Sequence, residues 1–273
     1  MNALRRIEAW AAEHAAAAVV RPDGVVARHG PAEHVFRWAS VTKLATALAT
    51  LVAVEEGAVD LDEPAGPSGS TVRHLLAHTS GLPFDEGAPI ARPGERRIYS
   101  NQGFELLAAQ VEERTEIAFP EYLAAAVFRP LEMRAELRGS AAADIHGTLT
   151  DLELLALELL RPRLVAPETL AEATSVQFPG LKGVLPGVGR FDPLDWGLGF
   201  ELKNGKPNHW TGTLASPATF GHFGGAGTFL WVDPERSLAL ACLTDREFGE
   251  WAKLAWPELA DAVVSEGSRA AAG

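Results

Sequence analysis

A serine and a lysine three residues apart, Ser40-Val41-Thr42-Lys43, stand at the head of a long apolar run. Positions i and i+3 share a helix face, so the hydroxyl and the amine can meet there. A serine hydroxyl attacks a carbonyl carbon only when something takes its proton. A lysine does this once desolvation or nearby positive charge lowers its pKa. By itself the tetrad reads equally well as a helix cap followed by a surface lysine, because serine is an ordinary N-cap. Other reactive residue types carry less. The single cysteine, Cys242, lies in Leu238-Ala239-Leu240-Ala241-Cys242-Leu243. That is the setting of a small buried hydrophobe on a strand, not of a nucleophile, and one cysteine makes no intramolecular disulfide. His74 and His78 have the i,i+4 spacing of zinc ligands. They lack the glutamate of His-Glu-x-x-His and a third ligand, so no metal is expected. Gly221 to Gly227 is as glycine-rich as a phosphate loop, but no Lys-Ser/Thr follows and it opens a strand.

The elements that must position Ser40 and Lys43 can be read from periodicity. Leu44 to Glu56 is rich in alanine and leucine and ends at Gly57, which predicts a helix apolar nearly all round and therefore buried. Its first turn then lies at the edge of a core, where a pKa can shift. Upstream, residues 3–14 predict a helix with Leu4, Ile7 and Trp10 on one stripe. Ala15 to Val20 and Val25 to Arg28 flank Arg21-Pro22-Asp23-Gly24, a β-hairpin pattern, and Val35 to Trp38 is extended. Downstream, Thr71 to Pro83 predicts a short capped helix and Phe84 to Arg97 an irregular stretch. Helices follow over Gln102 to Arg114 and about 118–128, 148–160 and 167–174, with Thr150 and Asp151 as caps of the third and Pro167 in the first turn of the fourth. Gly180 to Pro193 reads as a loop. Strands are predicted at Gly197 to Leu202, Thr219 to Phe223, Thr228 to Val232 and Ser237 to Thr244, then a helix over about 248–266 and a frayed tail from Ser268. Strands at both ends and helices between them imply an α/β (α+β) architecture. Residues 1–60 and 181–273 would form an antiparallel sheet flanked by N- and C-terminal helices, with a mainly helical insertion over 61–180.

The chain has 273 residues, 47% hydrophobic and 22% charged, enough for a packed core. Its net charge of −12 argues against nucleic acid and against anionic membrane surfaces as partners, since both need a basic face. No apolar stretch reaches membrane-spanning length. Glu8, Glu13 and His14 interrupt any signal-peptide core, so a cytoplasmic location is expected.

Three stretches line up in chain order: Ser40-x-x-Lys43, Tyr99-Ser100-Asn101 and His222-Phe223-Gly224-Gly225. With them the sequence resembles the serine β-lactamase and penicillin-binding-protein superfamily, in the branch of class C β-lactamases, D-aminopeptidases and family VIII-type carboxylesterases. Arg73 to Pro83, Gly221 to Gly227 and Trp231-Val232-Asp233-Pro234 are similar to that family's stretches too, and the likeness runs over about residues 15–245. The resemblance implies a β-lactamase/transpeptidase-like fold and a set of roles. Ser40 would form an acyl-enzyme. Either Lys43 or Tyr99 would be its base, and Tyr99 would carry the proton to the leaving group; a phenol titrates near 10 and needs help to do so at neutral pH. Asn101 would hold Lys43 and the substrate, with His222 and Gly224 also on the substrate. The backbone N–H groups of Ser40 and Gly225 would form the oxyanion hole.

The departure is His222, where lactamases and transpeptidases usually carry lysine. Histidine is a weaker, pH-dependent anion site. The pattern therefore implies a serine hydrolase acting on a small-molecule acyl substrate, an ester or amide, without cofactor. A β-lactamase or D-amino-acid peptidase is the second reading, and a non-catalytic binding scaffold on the same fold the third.

Overall fold

The computed structural model describes residues 1–270. The chain starts with a 3₁₀ helix over Asn2–Ala9, shorter than the helix predicted to residue 14. Leu4, Ile7 and Trp10 recur every three residues, and a 3₁₀ helix stacks such positions on one edge, here buried. The hairpin follows as β1 (Ala15–Arg21) and β2 (Gly24–His29), then β3 (Phe36–Arg37). A 3₁₀ turn, Ala39–Val41, leads into α1 (Thr42–Glu55), nearly every residue of which is buried. Next come α2 (Val72–Leu76), capped by the Thr71 hydroxyl, β4 (Arg97–Ile98), and α3 (Asn101–Thr115). The 118–128 helix divides into α4 (Phe119–Leu123) and a wider π turn, Ala124–Phe128. Short strands β5 (Glu136–Leu137) and β6 (Ile145–Gly147), which the pattern did not predict, pair with each other and with β3.

Helix α5 (Leu149–Leu160) is capped by Thr148, two residues before the first of the expected caps. The Thr148 hydroxyl accepts from Asp151 N–H, and the Asp151 carboxylate accepts from Thr148 N–H. This reciprocal box draws Thr150 and Asp151 into the first turn. Pro167 opens α6 (Pro167–Ala173) as expected. The predicted 180–193 loop instead holds a hairpin, β7 (Gly183–Leu185) and β8 (Gly189–Phe191), with β7 parallel to β4. The last strands are β9 (Glu201–Leu202), β10 (Phe220–Gly224), β11 (Thr228–Asp233) and β12 (Leu238–Thr244). The chain then enters α7 (Glu250–Ala270), which continues through Ser268, where fraying was expected; residues 271–273 lie outside the described part.

Six strands form one antiparallel sheet in the order β2-β1-β12-β11-β10-β9. Its central strands are buried on both faces, so they read as unbroken apolar runs instead of alternating ones. Period two sorts them. Ala16, Ala18, Ala239, Ala241 and Leu243 face a core shared with α1, α3 and α5. Ala17, Val19, Leu238, Leu240 and Cys242 face a second core with the N-terminal 3₁₀ helix and α7. The fold is thus the expected antiparallel sheet between terminal helices and a helical region. Helix α5 packs directly on β1 and β12. No helix among the described residues is long and apolar enough to cross a membrane.

Candidate active site

The turn at Ser40 is held from three sides. Trp38 N–H bonds the Ile145 carbonyl at 2.9 Å, the Thr228 hydroxyl donates to the Trp38 carbonyl at 2.7 Å, and Val41 N–H closes the turn onto the same carbonyl. Ala39 takes a left-handed φ of +46°, a conformation costly for a residue with a Cβ. The chain therefore turns sharply just before the serine, and Ser40 sits on a 3₁₀ turn ahead of the α-helix proper. Lys43 follows in the first turn of α1, completely buried. Its Nζ donates to Asn101 Oδ1 at 2.7 Å and to the Ala142 carbonyl at 2.9 Å. Burial lowers its pKa to about 7, with only partial compensation from the Glu105 and Asp85 carboxylates. An ammonium has three donors, a neutral amine two. The two bonds to Asn101 and Ala142 use both hydrogens of the neutral amine and leave its lone pair unspent.

Tyr99 reaches the same point from the strand that precedes α3. Ser100, not Asn101, caps that helix: its hydroxyl accepts from Gly103 N–H at 3.0 Å and donates to the Pro83 carbonyl at 2.6 Å. Lys43 Nζ lies 4.8 Å from the centre of the Tyr99 ring. Burial pushes the phenol above its ordinary range, while a hydrogen bond with Ser40 pulls the other way. Tyr99 is therefore a neutral phenol at pH 7. Its hydroxyl is 3.4 Å from His222 Nε2, and His222 Nδ1 is 2.7 Å from its neighbour's carbonyl, Phe223 O. That carbonyl can only accept, so Nδ1 carries the hydrogen and Nε2 accepts from Tyr99. Burial, then the nearby Lys43, hold the His222 pKa to about 3. The imidazole is uncharged throughout the neutral range and offers an anion no charge there.

Ser40, Tyr99, His222 and Gly225 line one cavity of 210 Å³, with Phe84, Leu185 and Phe248 among the apolar walls. A Cβ built on Gly225 would meet nothing within 4 Å, so this residue opens onto space. Gly224 does not line the cavity. A Cβ there would collide with the Trp38 carbonyl, the Thr228 hydroxyl and Ala39, so its role in the structure is to let β10 press against the serine turn. The Asn101 side chain is likewise engaged by Lys43, with Asp85 3.4 Å from its amide, and it lines a separate cavity of 600 Å³.

Trp196 and Arg97, not singled out from sequence, and the His74/His78 pair complete the surroundings. Trp196, wholly buried, packs edge-on against His78, Tyr99 and His222 at centroid distances of 4.9, 5.8 and 5.6 Å. His78 Nδ1 accepts from Ser100 N–H at 3.2 Å, and His74 Nδ1 pairs with the Thr71 hydroxyl at 2.9 Å, so the two histidines serve different local bonds. Arg97, two residues before Tyr99, is buried and donates to the carbonyls of Leu194, Ala77, Gln177 and Phe178. It ties the 84–97 segment to the 177–194 segment. Arg97→Met leaves those carbonyls without their donor. We expect a loss of about 3 kcal/mol, read as a lower urea midpoint; an unchanged midpoint would show that the tie is dispensable. The sequence signal for Arg97 was only its proximity to the second motif.

Likeness to known proteins agrees with this arrangement. The sequence profile of the Beta-lactamase family matches residues 7–136 and 134–264. The crystal structure of a beta-lactamase from Mycobacterium bovis is 53% identical, covers 97% of this chain and 99% of its own, and superposes with a TM-score of 0.96. Penicillin-binding protein 4* of Bacillus subtilis is 29% identical over 131 residues, which are 36% of this chain and 29% of that protein. The chain spans less than half the length of the curated relatives it matches first. Simvastatin synthase from Aspergillus terreus shares the fold at 16% identity and a TM-score of 0.76, over 98% of this chain and 94% of that one. A profile match across nearly the whole chain, with a serine turn and a tyrosine at one cavity and a buried lysine 4.8 Å from that tyrosine's ring, means that this protein belongs to the beta-lactamase family.

Proposed function

We propose that this protein is a serine hydrolase that forms an acyl-enzyme at Ser40 on small ester or amide substrates, esters foremost. The observation that carries the reading is Lys43: buried, lowered to about 7, and bonded so that its neutral amine keeps a free lone pair. In the first step Lys43 takes the Ser40 proton while Oγ bonds to the substrate carbonyl carbon. The oxyanion is received by the backbone N–H groups of Ser40 and Gly225. The tetrahedral intermediate collapses, the bond to the leaving group breaks, and the proton returns from Lys43 through the Tyr99 hydroxyl to the departing oxygen or nitrogen. Tyr99 passes a proton without ever standing free as phenolate, in keeping with its raised pKa. Water then attacks the ester on Ser40 by the same steps in reverse. Before the transfer to the leaving group the Tyr99 hydroxyl donates to His222 Nε2, and its hydrogen swings to the leaving group as the Lys43 proton arrives on the phenol oxygen; Asn101 holds Lys43.

A β-lactamase is the second reading, favoured by the 53% identity to the Mycobacterium bovis protein of that description. It uses the same Ser40 acyl-enzyme and differs in substrate. The uncharged His222 speaks for esters, because it gives a β-lactam carboxylate no ionic partner beside the serine. The test is intact mass after incubation with a fluorophosphonate and with a penicillin. We expect one adduct on the wild type and none on Ser40→Ala; no adduct with either probe would leave only a binding scaffold. Initial rates on p-nitrophenyl esters, a chromogenic cephalosporin and D-alanyl peptides then rank the substrates, with esters expected fastest.

A further inference from the structure

Next to the Ser40 cavity lies a larger one of 660 Å³, and the two share Phe84, Tyr99 and Pro186 in their walls. Its sides are the 84–97 segment and the β7–β8 hairpin, joined by the parallel β4–β7 pairing and by the buried Arg97. The floor and lip are apolar. Phe84, Ile90 and Val184 line it and remain 45%, 57% and 50% exposed, large side chains with no cover from the chain itself. Single exposed apolar residues are ordinary; three around one hollow mark a binding surface.

The polar lining has one dominant sign. Arg96, Lys182 and Arg190 line the cavity against a single acid, Asp192. None of these three cations belongs to an ion pair among the described residues, in contrast to neighbouring Arg73, Arg92 and Arg114. Arg96 spends one guanidinium nitrogen on the Ile90 carbonyl and keeps the rest. This is a local cationic rim on a chain of net charge −12. On the Asn101 side the sign reverses, since the 600 Å³ cavity there is lined by Asp85, Glu86 and Glu105. An anionic substituent is repelled from that side and attracted to the hairpin side.

We propose that this cavity is a substrate-arm site for an apolar chain ending in an anion, a carboxylate or a phosphate. The anchoring charge that His222 does not supply beside the serine is supplied instead by Arg96, Lys182 and Arg190, farther along the cleft. Guanidinium groups suit both anions, because their donors match two oxygens at once. The proposal rests on Ser40 being the acylated residue and names the class of substrate that reaches it.

The test uses Ser40→Ala, which cannot turn over, so binding is read apart from catalysis. Dissociation constants are measured by calorimetry for two matched pairs. In one the anion is on the acyl arm: p-nitrophenyl octanoate against the p-nitrophenyl monoester of octanedioic acid. In the other it is on the alcohol arm: octyl acetate against the acetyl ester of ω-hydroxyoctanoic acid, with its ω-phosphate counterpart to separate phosphate from carboxylate. The anionic member of one pair should bind about tenfold tighter, and more weakly as salt is raised. In a Ser40→Ala background, Arg96→Gln with Lys182→Gln and Arg190→Gln should erase that preference and leave the neutral member's dissociation constant within about twofold. Equal binding within both pairs, or a preference that survives the triple substitution, overturns the proposal. Failure of Ser40 to be acylated by any probe would sink the hydrolase reading alone, because the binding comparison does not depend on turnover.

Discussion

Ser40→Ala is expected to lower kcat/KM for the best p-nitrophenyl ester by on the order of 10⁴-fold or more, with little change in thermal stability. The size follows from the chemistry: without Oγ no covalent intermediate forms, and the remaining groups can only orient water. The lack of a stability penalty follows from the packing. Ser40 is only partly buried and its turn is held by the backbone of Trp38 and the Thr228 hydroxyl, not by its own side chain. The measurement is initial-rate kinetics alongside a melting curve. Activity within tenfold of wild type would mean that another nucleophile does the work. Cys242 is a poor candidate, since it is wholly buried in the sheet and burial pushes its thiol well above the ordinary range.

The second large effect is at Lys43. Lys43→Met keeps the aliphatic stem in the core and removes the amine, and we expect kcat/KM to fall by about 10³-fold, within the range of general-base contributions. The wild-type pH profile supplies the independent check. In the proposed mechanism Lys43 acts as the neutral amine, and its pKa is lowered to about 7, so the competent form grows as pH rises through that value. kcat/KM should climb about tenfold per unit below pH 6 and level off above pH 8. Lys43→Arg, which cannot deprotonate, should be as impaired as Lys43→Met and lose this ascending limb. A profile that is flat between pH 6 and 8, or one that rises only near 10, would move the base from Lys43 to Tyr99. Tyr99 is disfavoured for that role by its burial, which holds it protonated.

Asn101 and Gly224 each shape the site through the chain's own contacts. Asn101 is a positioning residue whose carbonyl oxygen fixes the Lys43 amine. Gly224 is conformational: the serine turn and β10 approach so closely that no side chain fits between them. The motifs imply a substrate contact for both and, for Asn101, a hold on Lys43, and the bond to Lys43 is present.

Local signals in the sequence determined much of this protein. The apolar helix after Ser40, the Pro-Asp-Gly hairpin and the four apolar C-terminal runs were legible because period, glycine and proline act within a few residues. The three motifs, taken in order, were legible as chemistry for the same reason. What only the tertiary structure decided depends on groups distant in the chain. The Lys43 pKa is set by its burial at the head of α1, partly offset by the Glu105 and Asp85 carboxylates, and its hydrogen bonds run to Asn101 and Ala142, 58 and 99 residues away. The charge state of His222 is set by the same burial and by Lys43. The β7–β8 hairpin escaped notice because its strands are three residues long and β7 also pairs with β4, far upstream. The larger cavity exists only where that hairpin meets the 84–97 segment, two stretches without periodicity that are joined by the β4–β7 pairing and braced by the buried Arg97. Nearest-neighbour preferences shape the elements, but desolvation and enclosure are properties of the packed whole, and they set the proton on Lys43 and the walls around Ser40.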